Sequence, residues 1–180
     1  MVSTVRDICK FIGGAVVGPP VCVETGCTYV CAEGDEKHTT TNNLYEHVCK
    51  GRFGYLFSFD VDAVHIEFAK GLLPKNNRAK FILGDSVRQL KSWAGGLSCP
   101  WVDILCLDSK EFDEDHMVNE YNAIKHKLMP RHFVLVDDIH NPNSVKYVKM
   151  VPLLKQLDYN CVEVPTPTGM LVATKGYFLP

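Results

Sequence analysis

The sequence predicts an α/β fold: a doubly wound sheet, parallel except for an antiparallel last strand, with helices on both faces. Three observations predict it. Short apolar, β-rich runs alternate with stretches of helical periodicity from Val21 to Leu157, the pattern of a parallel sheet built from crossover units. The last two runs, Asn160–Val164 and Met170–Thr174, are joined only by Pro165-Thr166-Pro167-Thr168-Gly169. That link is too short for a parallel crossover and has to be a hairpin. Finally, each of the first five strands runs out into a carboxylate: Glu24, Asp60, Asp85, Asp108 and Asp137-Asp138.

Taken in order, Ser3 or Thr4 can cap a helix through Val5, Ile8, Cys9 and Ile12, which Gly13-Gly14 should stop. Val21-Cys22-Val23 is a short buried strand. After a polar stretch, Thr39–Lys50 reads as a helix with Leu44 and Val48 at helical spacing. Tyr55–Phe59 is the second strand, and the helix Val61–Leu73 ends before Pro74. Lys80–Leu83 is the third strand, and a helix from Val87 to Trp93 leads to Ala94-Gly95-Gly96. Val102–Leu107 is the fourth. Asp113–Met129 is a helix with acids at its start and lysines at its end, as the helix dipole favours. His132–Val136 is the fifth strand. Val145–Leu157 is a mostly helical stretch interrupted by Pro152, and the closing hairpin follows.

The chain has 180 residues, enough for one domain with a sizeable core. Apolar residues make up 46% and charged residues 22%, the balance of a soluble globular protein. The net charge is −2, without the basic excess of a duplex-binding protein, so no nucleic acid partner is expected. Several of the eight cysteines (Cys22, Cys106, Cys161) lie inside apolar runs, where a thiol acts as a small hydrophobe. This favours a reducing, cytoplasmic setting over a disulfide scaffold. The apolar stretch Phe11–Gly18 holds three glycines and lacks a cleavage pattern, so it reads as helix and loop rather than an export signal or membrane span.

In open α/β sheets the ligand lies beyond the carboxyl ends of the strands, so the exit acids are the candidate site. One such Asp is readily explained as a cap for the following helix. Five in succession call for more. Gly26 after Glu24-Thr25 lets the backbone approach a ligand closely. Asp60 stands where ribose hydroxyls are commonly bound by an acid. Asp85 after Gly84 can accept from an adenine amino group. The chain has neither the G-x-G-x-x-G fingerprint nor a lysine-containing phosphate loop. A cofactor without phosphates is therefore preferred to NAD or ATP.

Glu24-Thr25-Gly26, Phe57-Ser58-Phe59-Asp60, Phe81-Ile82-Leu83-Gly84-Asp85-Ser86, Asp103–Asp108 and the closing hairpin together resemble the class I S-adenosylmethionine-dependent methyltransferases. The resemblance runs from about Val21 to Lys175. It implies a Rossmann-like sheet, S-adenosyl-L-methionine as cofactor, and one methyltransferase domain over residues 1–180, of which 1–19 form a leading helix and loop. By that analogy Glu24, Thr25 and Gly26 face the methionine part, Asp60 the ribose, and Asp85 with Ser86 the adenine. Family members usually continue from the first glycine into a compact turn. Here Cys27–Glu33 intervene before Gly34, a longer loop that leaves the roles of Thr28, His38 and Thr40 open.

Asp108, Asp137 and Asp138 end adjacent core strands, where three carboxylates repel unless protonated, spread apart or neutralised by a cation. Hard oxygen ligands suit Mg²⁺ or another divalent ion. The pattern resembles metal-dependent O-methyltransferases of the catechol and macrocin types, which implies a metal held by these three and places Asp108 in the cofactor set as well. A bound cation would draw an acceptor hydroxyl toward alkoxide. Lys110 is a candidate general base or else a surface lysine, and His140 is a second base candidate. A zinc site from Cys27, Cys31 and His38 lacks the paired spacing of structural sites. Tyr29, Trp93 and Trp101 either wall a ligand or belong to the core.

The expectation is thus an S-adenosylmethionine-dependent methyltransferase, assisted by a divalent metal, acting on a small hydroxylated acceptor without a membrane partner, and possible as a homodimer. The rivals are a metal-independent methyltransferase, a non-catalytic cofactor-binding module and, more distantly, a nucleotide-dependent oxidoreductase.

Overall fold

The computed structural model describes residues 4–27, 39–75, 78–109 and 112–177. Its centre is a seven-stranded sheet in the order β3-β2-β1-β4-β5-β7-β6. The strands are β1 Val21–Thr25, β2 Tyr55–Asp60, β3 Ala79–Leu83, β4 Val102–Leu107, β5 Leu128–Asp137, β6 Asn160–Val164 and β7 Met170–Lys175. The contacts of β1 with β2 and β4, of β2 with β3, and of β4 with β5 are parallel. β7 is antiparallel to both β5 and β6, as the short Pro165–Gly169 link requires. The strand order reverses between β1 and β4, which sets the ligand crevice at their carboxyl ends.

Alternation along the strands divides the core in two. Val23, Phe57, Phe59, Leu105, Leu107, Val134 and Val136 pack on the face covered by α4 (Ser86–Ala94), α5 (His116–Ile124) and α6 (Met150–Gln156). Cys22, Leu56, Ile104, Cys106, Phe133 and Leu135 pack on the face covered by α1 (Val5–Ala15) and α2, which starts at Thr40. α2 is α-helical over Thr40–Asn43, continues as a π-helix over Leu44–Cys49 and closes in a 3₁₀ turn over Lys50–Arg52. α3 (Ala63–Leu72) is capped by Asp62 and ends before Pro74. Period two has a further consequence at the end of β1. Glu24 is sent to the α2 face and its neighbour Thr25 to the α5 face.

Several boundaries differ from the sequence reading; α5 ends at Ile124 rather than Met129, and β5 starts at Leu128 rather than His132. α1 is capped by Thr4 and passes through Gly13-Gly14 to Ala15. A Cβ on Gly13 would lie 2.3 Å from the His47 carbonyl oxygen, so this glycine permits close packing on α2 rather than ending the helix. α5 begins only at His116, after the turn around Asp113–Asp115. α6 begins at Met150, placing Pro152 in the first turn, where the missing N–H costs nothing. Residues 145–149, the start of the stretch expected to be mostly helical, instead continue the run of turns from 140. Among the described residues no helix is long and apolar enough to cross a membrane.

Candidate active site

The carboxyl ends of β1, β2, β4 and β5 open into a cleft of ≈970 Å³. Its lining includes Gly26, Asp60, Ser86, Asp108, Asp137 and Asp138 from the sequence-predicted set. Glu24, Thr25, Asp85 and His140 are not among its walls.

At the end of β1, Gly26 has a φ of +75°, and a Cβ there would stand 2.3 Å from the Asp108 carbonyl oxygen. Only glycine lets β1 turn out so close to β4. The turn is held by Gly26 N–H donating to the Phe59 carbonyl (2.9 Å) and Asp108 N–H to the Thr25 carbonyl (3.0 Å). Glu24 lies beneath this turn, fully buried, and one of its oxygens, Oε2, accepts from Thr41 Oγ1 (2.9 Å) and Ser58 Oγ (2.7 Å). Its other oxygen, Oε1, is buried and has no hydrogen-bond partner among the described residues. Burial pushes the Glu24 carboxyl up to about 7, against the pull of the two hydroxyl donors.

Asp60 is held from two sides. Its Oδ2 accepts from the Cys27 N–H (3.0 Å) and its Oδ1 from the Asp62 N–H (2.8 Å), with His65 Nδ1 at 3.5 Å. With Cys27 Sγ also 3.4 Å from Oδ2, the carboxylate is fixed in the wall of the cleft. Asp85 does what a lone exit Asp often does: it caps α4, accepting from the Arg88 N–H at 3.0 Å. At this strand exit Gly84 and Ser86 line the cleft.

Ser86 belongs to a buried polar group that the sequence reading missed. Glu120 of α5, fully buried, accepts from Thr25 Oγ1 at 3.0 Å and from Ser86 Oγ and Ser109 Oγ. His116, one turn earlier, places Nε2 2.9 Å from Ser86 Oγ and 3.2 Å from Glu120. Thr25 therefore faces this cluster, away from the cleft. A signal for it existed: Glu120 lies at i+3 from Met117 and i−4 from Ile124, on the buried stripe of its helix.

At the other end, Asp137 Oδ1 accepts from the Asp138 N–H (2.9 Å), and Asp138 adopts φ +60°. Burial, reinforced by Asp138, pushes the Asp137 carboxyl up to about 6. Asp108 and Asp138 do not surround a vacant point. Lys146 Nζ stands between them, 2.6 Å from Asp108 Oδ1 and 2.8 Å from Asp138 Oδ2. Its side chain is 0% exposed, against 26% for Asp108 and 16% for Asp138. Burial works against this ammonium, but Asp108 and Asp138 outweigh it and hold Lys146 above the ordinary lysine range. Mg²⁺ needs several oxygens around one point at close to 2 Å. Among the described residues no group of three His, Cys, Asp or Glu side chains is arranged to hold an ion. The arrangement seen here therefore does not fit the divalent metal expected at Asp108, Asp137 and Asp138: a lysine from the 140–149 turns bonds to two of them.

Of the base candidates, Lys110 lies outside the described residues, as do Thr28, Tyr29, Cys31 and His38. His140 points away from the cleft. Its side chain is half-exposed, pairs with Glu163 at 3.4 Å and packs under Gly169. Trp93 packs against Phe57 and Phe59, and Trp101 is exposed.

No protein-family model and no curated protein matches this sequence. Solved structures do. The O-methyltransferase from Bacillus cereus, in complex with S-adenosylhomocysteine, superposes with a TM-score of 0.67 at 12% identity, over 95% of this chain and 78% of its own. The O-methyltransferase TomG from Streptomyces achromogenes, in complex with S-adenosylmethionine, gives 0.67 at 12% identity, over 96% and 78%. A methyltransferase from Geobacter sulfurreducens gives 0.66 at 14% identity, over 95% and 75%. Identities this low carry the architecture and not the chemistry, and the architecture is that of the class I S-adenosylmethionine-dependent methyltransferase fold.

Proposed function

We propose that this chain is an S-adenosylmethionine-dependent methyltransferase acting on a hydroxyl group of a small acceptor. The observation that carries this reading is the cleft across the β1–β4 strand-order reversal. There Gly26 leaves the floor free of a side chain and Asp60 presents a fixed carboxylate at the neighbouring strand exit. Asp60 receives the ribose hydroxyls, and Ser86 with His116 borders the adenine. The sulfonium then lies toward Asp108 and Asp137.

Transfer breaks the sulfonium S–CH₃ bond and forms an O–CH₃ bond, leaving a neutral thioether and releasing the hydroxyl proton. Asp137 lines the cleft with a carboxyl pushed to about 6, close to the operating pH, and is the group to which we assign that proton. Because Lys146 bonds to two of the three acids, we favour the metal-independent form of this reaction over a metal-assisted one. The lack of a basic excess agrees with a small-molecule acceptor rather than nucleic acid.

The test is calorimetric titration with S-adenosylhomocysteine, followed by assay of methyl transfer to a panel of phenols, catechols and sugar hydroxyls in excess chelator. Micromolar-range binding and methylated product are expected. Absence of S-adenosylhomocysteine binding overturns the reading, and binding without turnover across the panel identifies a non-catalytic cofactor-binding module instead.

A further inference from the structure

Three acids converge at the exits of β4 and β5, and charges packed this closely demand a counter-charge. The structure supplies one covalently. Lys146 reaches up from the turns before α6, its stem excluded from solvent, and its Nζ bonds to Asp108 and Asp138 at once. Both acids line the cleft while Lys146 does not, so the ammonium lies behind the carboxylates and leaves their other faces open to a ligand. Asp138 takes up a left-handed backbone (φ +60°) at the residue that meets the lysine, a conformation that aspartate tolerates better than most residues.

We propose that Lys146 is the resident cation of this site: a positioning residue whose ammonium holds Asp108 and Asp138 in the place a divalent metal would otherwise take. Lysine and metal are then mutually exclusive. The inference rests on the proposed methyltransferase reading only for what the site is used for. The exclusion of metal by lysine stands on the geometry alone.

The experiment is a titration of the full-length chain with Mn²⁺ alone, following free ion by electron paramagnetic resonance, with S-adenosylhomocysteine binding measured on the same samples. The wild type should show no Mn²⁺ site that Asp138→Asn removes. Lys146→Met, which keeps the length and loses the charge, should create one such site, tighter than any in the wild type by about tenfold or more, because two partly buried acids are left without their cation. Adding Asp138→Asn should abolish it. A single Mn²⁺ site in the wild type that is lost in Asp138→Asn overturns the proposal, and that arm needs no lysine variant to fold. A folded Lys146→Met with no gain in Mn²⁺ affinity overturns it as well. If the wild type fails to bind S-adenosylhomocysteine while the Mn²⁺ results come out as expected, the methyltransferase reading fails and the lysine–metal exclusion stands.

Discussion

Thr25 on β1 and Glu120 on α5, 95 positions apart, meet through a 3.0 Å hydrogen bond in an environment closed to solvent. The same carboxylate gathers Ser86 at the start of α4 and Ser109 just beyond β4, with His116 alongside. One buried acid thus ties three strand exits to one helix. It fixes the proposed adenine side of the cleft without lining it. Glu120→Ala would leave the buried Thr25 hydroxyl unpaired and His116 without its acid neighbour, and removal of one partner from a buried charged network costs about 3–5 kcal/mol. The expected melting temperature falls by roughly 10 °C for a chain of this size. A fall of under about 2 °C would show that the node is dispensable.

Gly26→Ala should fail at two levels. The backbone at φ +75° costs a residue with a Cβ about 1–2 kcal/mol. The new methyl would also meet the Asp108 carbonyl at 2.3 Å, a backbone atom that cannot swing aside. Overpacking of this kind adds about 1–3 kcal/mol. Relief requires β1 and β4 to separate at the cleft floor, so affinity for S-adenosylhomocysteine should fall along with stability. Urea denaturation and calorimetry together test this. Unchanged affinity in a folded variant would remove Gly26 from the proposed cofactor site.

Asp60→Asn separates binding from folding. The amide oxygen can still accept one of the two backbone N–H groups that now converge on the carboxylate, so the loss of stability should be modest. What is lost is the charge that the proposed site offers to the ribose. Hydrogen bonds to charged groups contribute about 1.5–3 kcal/mol, so affinity for S-adenosylhomocysteine should drop roughly 10- to 100-fold. A drop smaller than about threefold would place the ribose elsewhere.

Much of this architecture was legible because strands of period two and helices of period 3.6 leave different marks. The runs at Tyr55–Phe59, Val102–Leu107 and His132–Val136 became strands, and the Pro-rich link before Met170 announced the antiparallel end. The site was legible only as far as chain position determines it. Asp60, Asp108 and Asp137 come to the cleft because a parallel sheet brings strand ends together. Asp85 followed the simpler physics of a helix cap. Lys146 was hidden because a lysine in a polar stretch reads as surface. Only the need of three acids for a counter-charge points to it, and that need does not say which cation answers it. Glu120 was hidden because a helix pattern is read for its apolar members, and an acid on the same stripe passes as an exception.

His140 provides a contrast with the buried groups. Its pairing with Glu163 is half-exposed on both sides, and such pairs contribute little. It is not among the residues lining the cleft. His140→Ala should therefore leave methyl transfer within about twofold of wild type and stability within about 1 kcal/mol. A loss of two orders of magnitude in kcat would reinstate it as the base.

Glu24 makes stability depend on pH, and the direction follows from its burial. Its carboxyl is pushed up to about 7 in the folded protein from an ordinary 4.5. Below pH 4.5 both folded and unfolded chains hold the proton and the group contributes nothing. Between 4.5 and 7 the unfolded chain loses the proton while the folded chain keeps it, so stability falls as pH rises. Above 7 the full penalty persists, on the order of 3 kcal/mol. Asp137, pushed to about 6, adds to the same fall at the lower end of that window. Glu24→Gln retains an oxygen for Ser58 and Thr41 and carries no charge at any pH. Urea denaturation at pH 5 and pH 8 should show the wild type losing more stability across that interval than the variant, with the slope flattened rather than abolished because Asp137 remains. Equal losses would mean that Glu24 is already ionised in the fold. Its Oε1, without a partner among the described residues, would then need a donor that the described side chains do not supply.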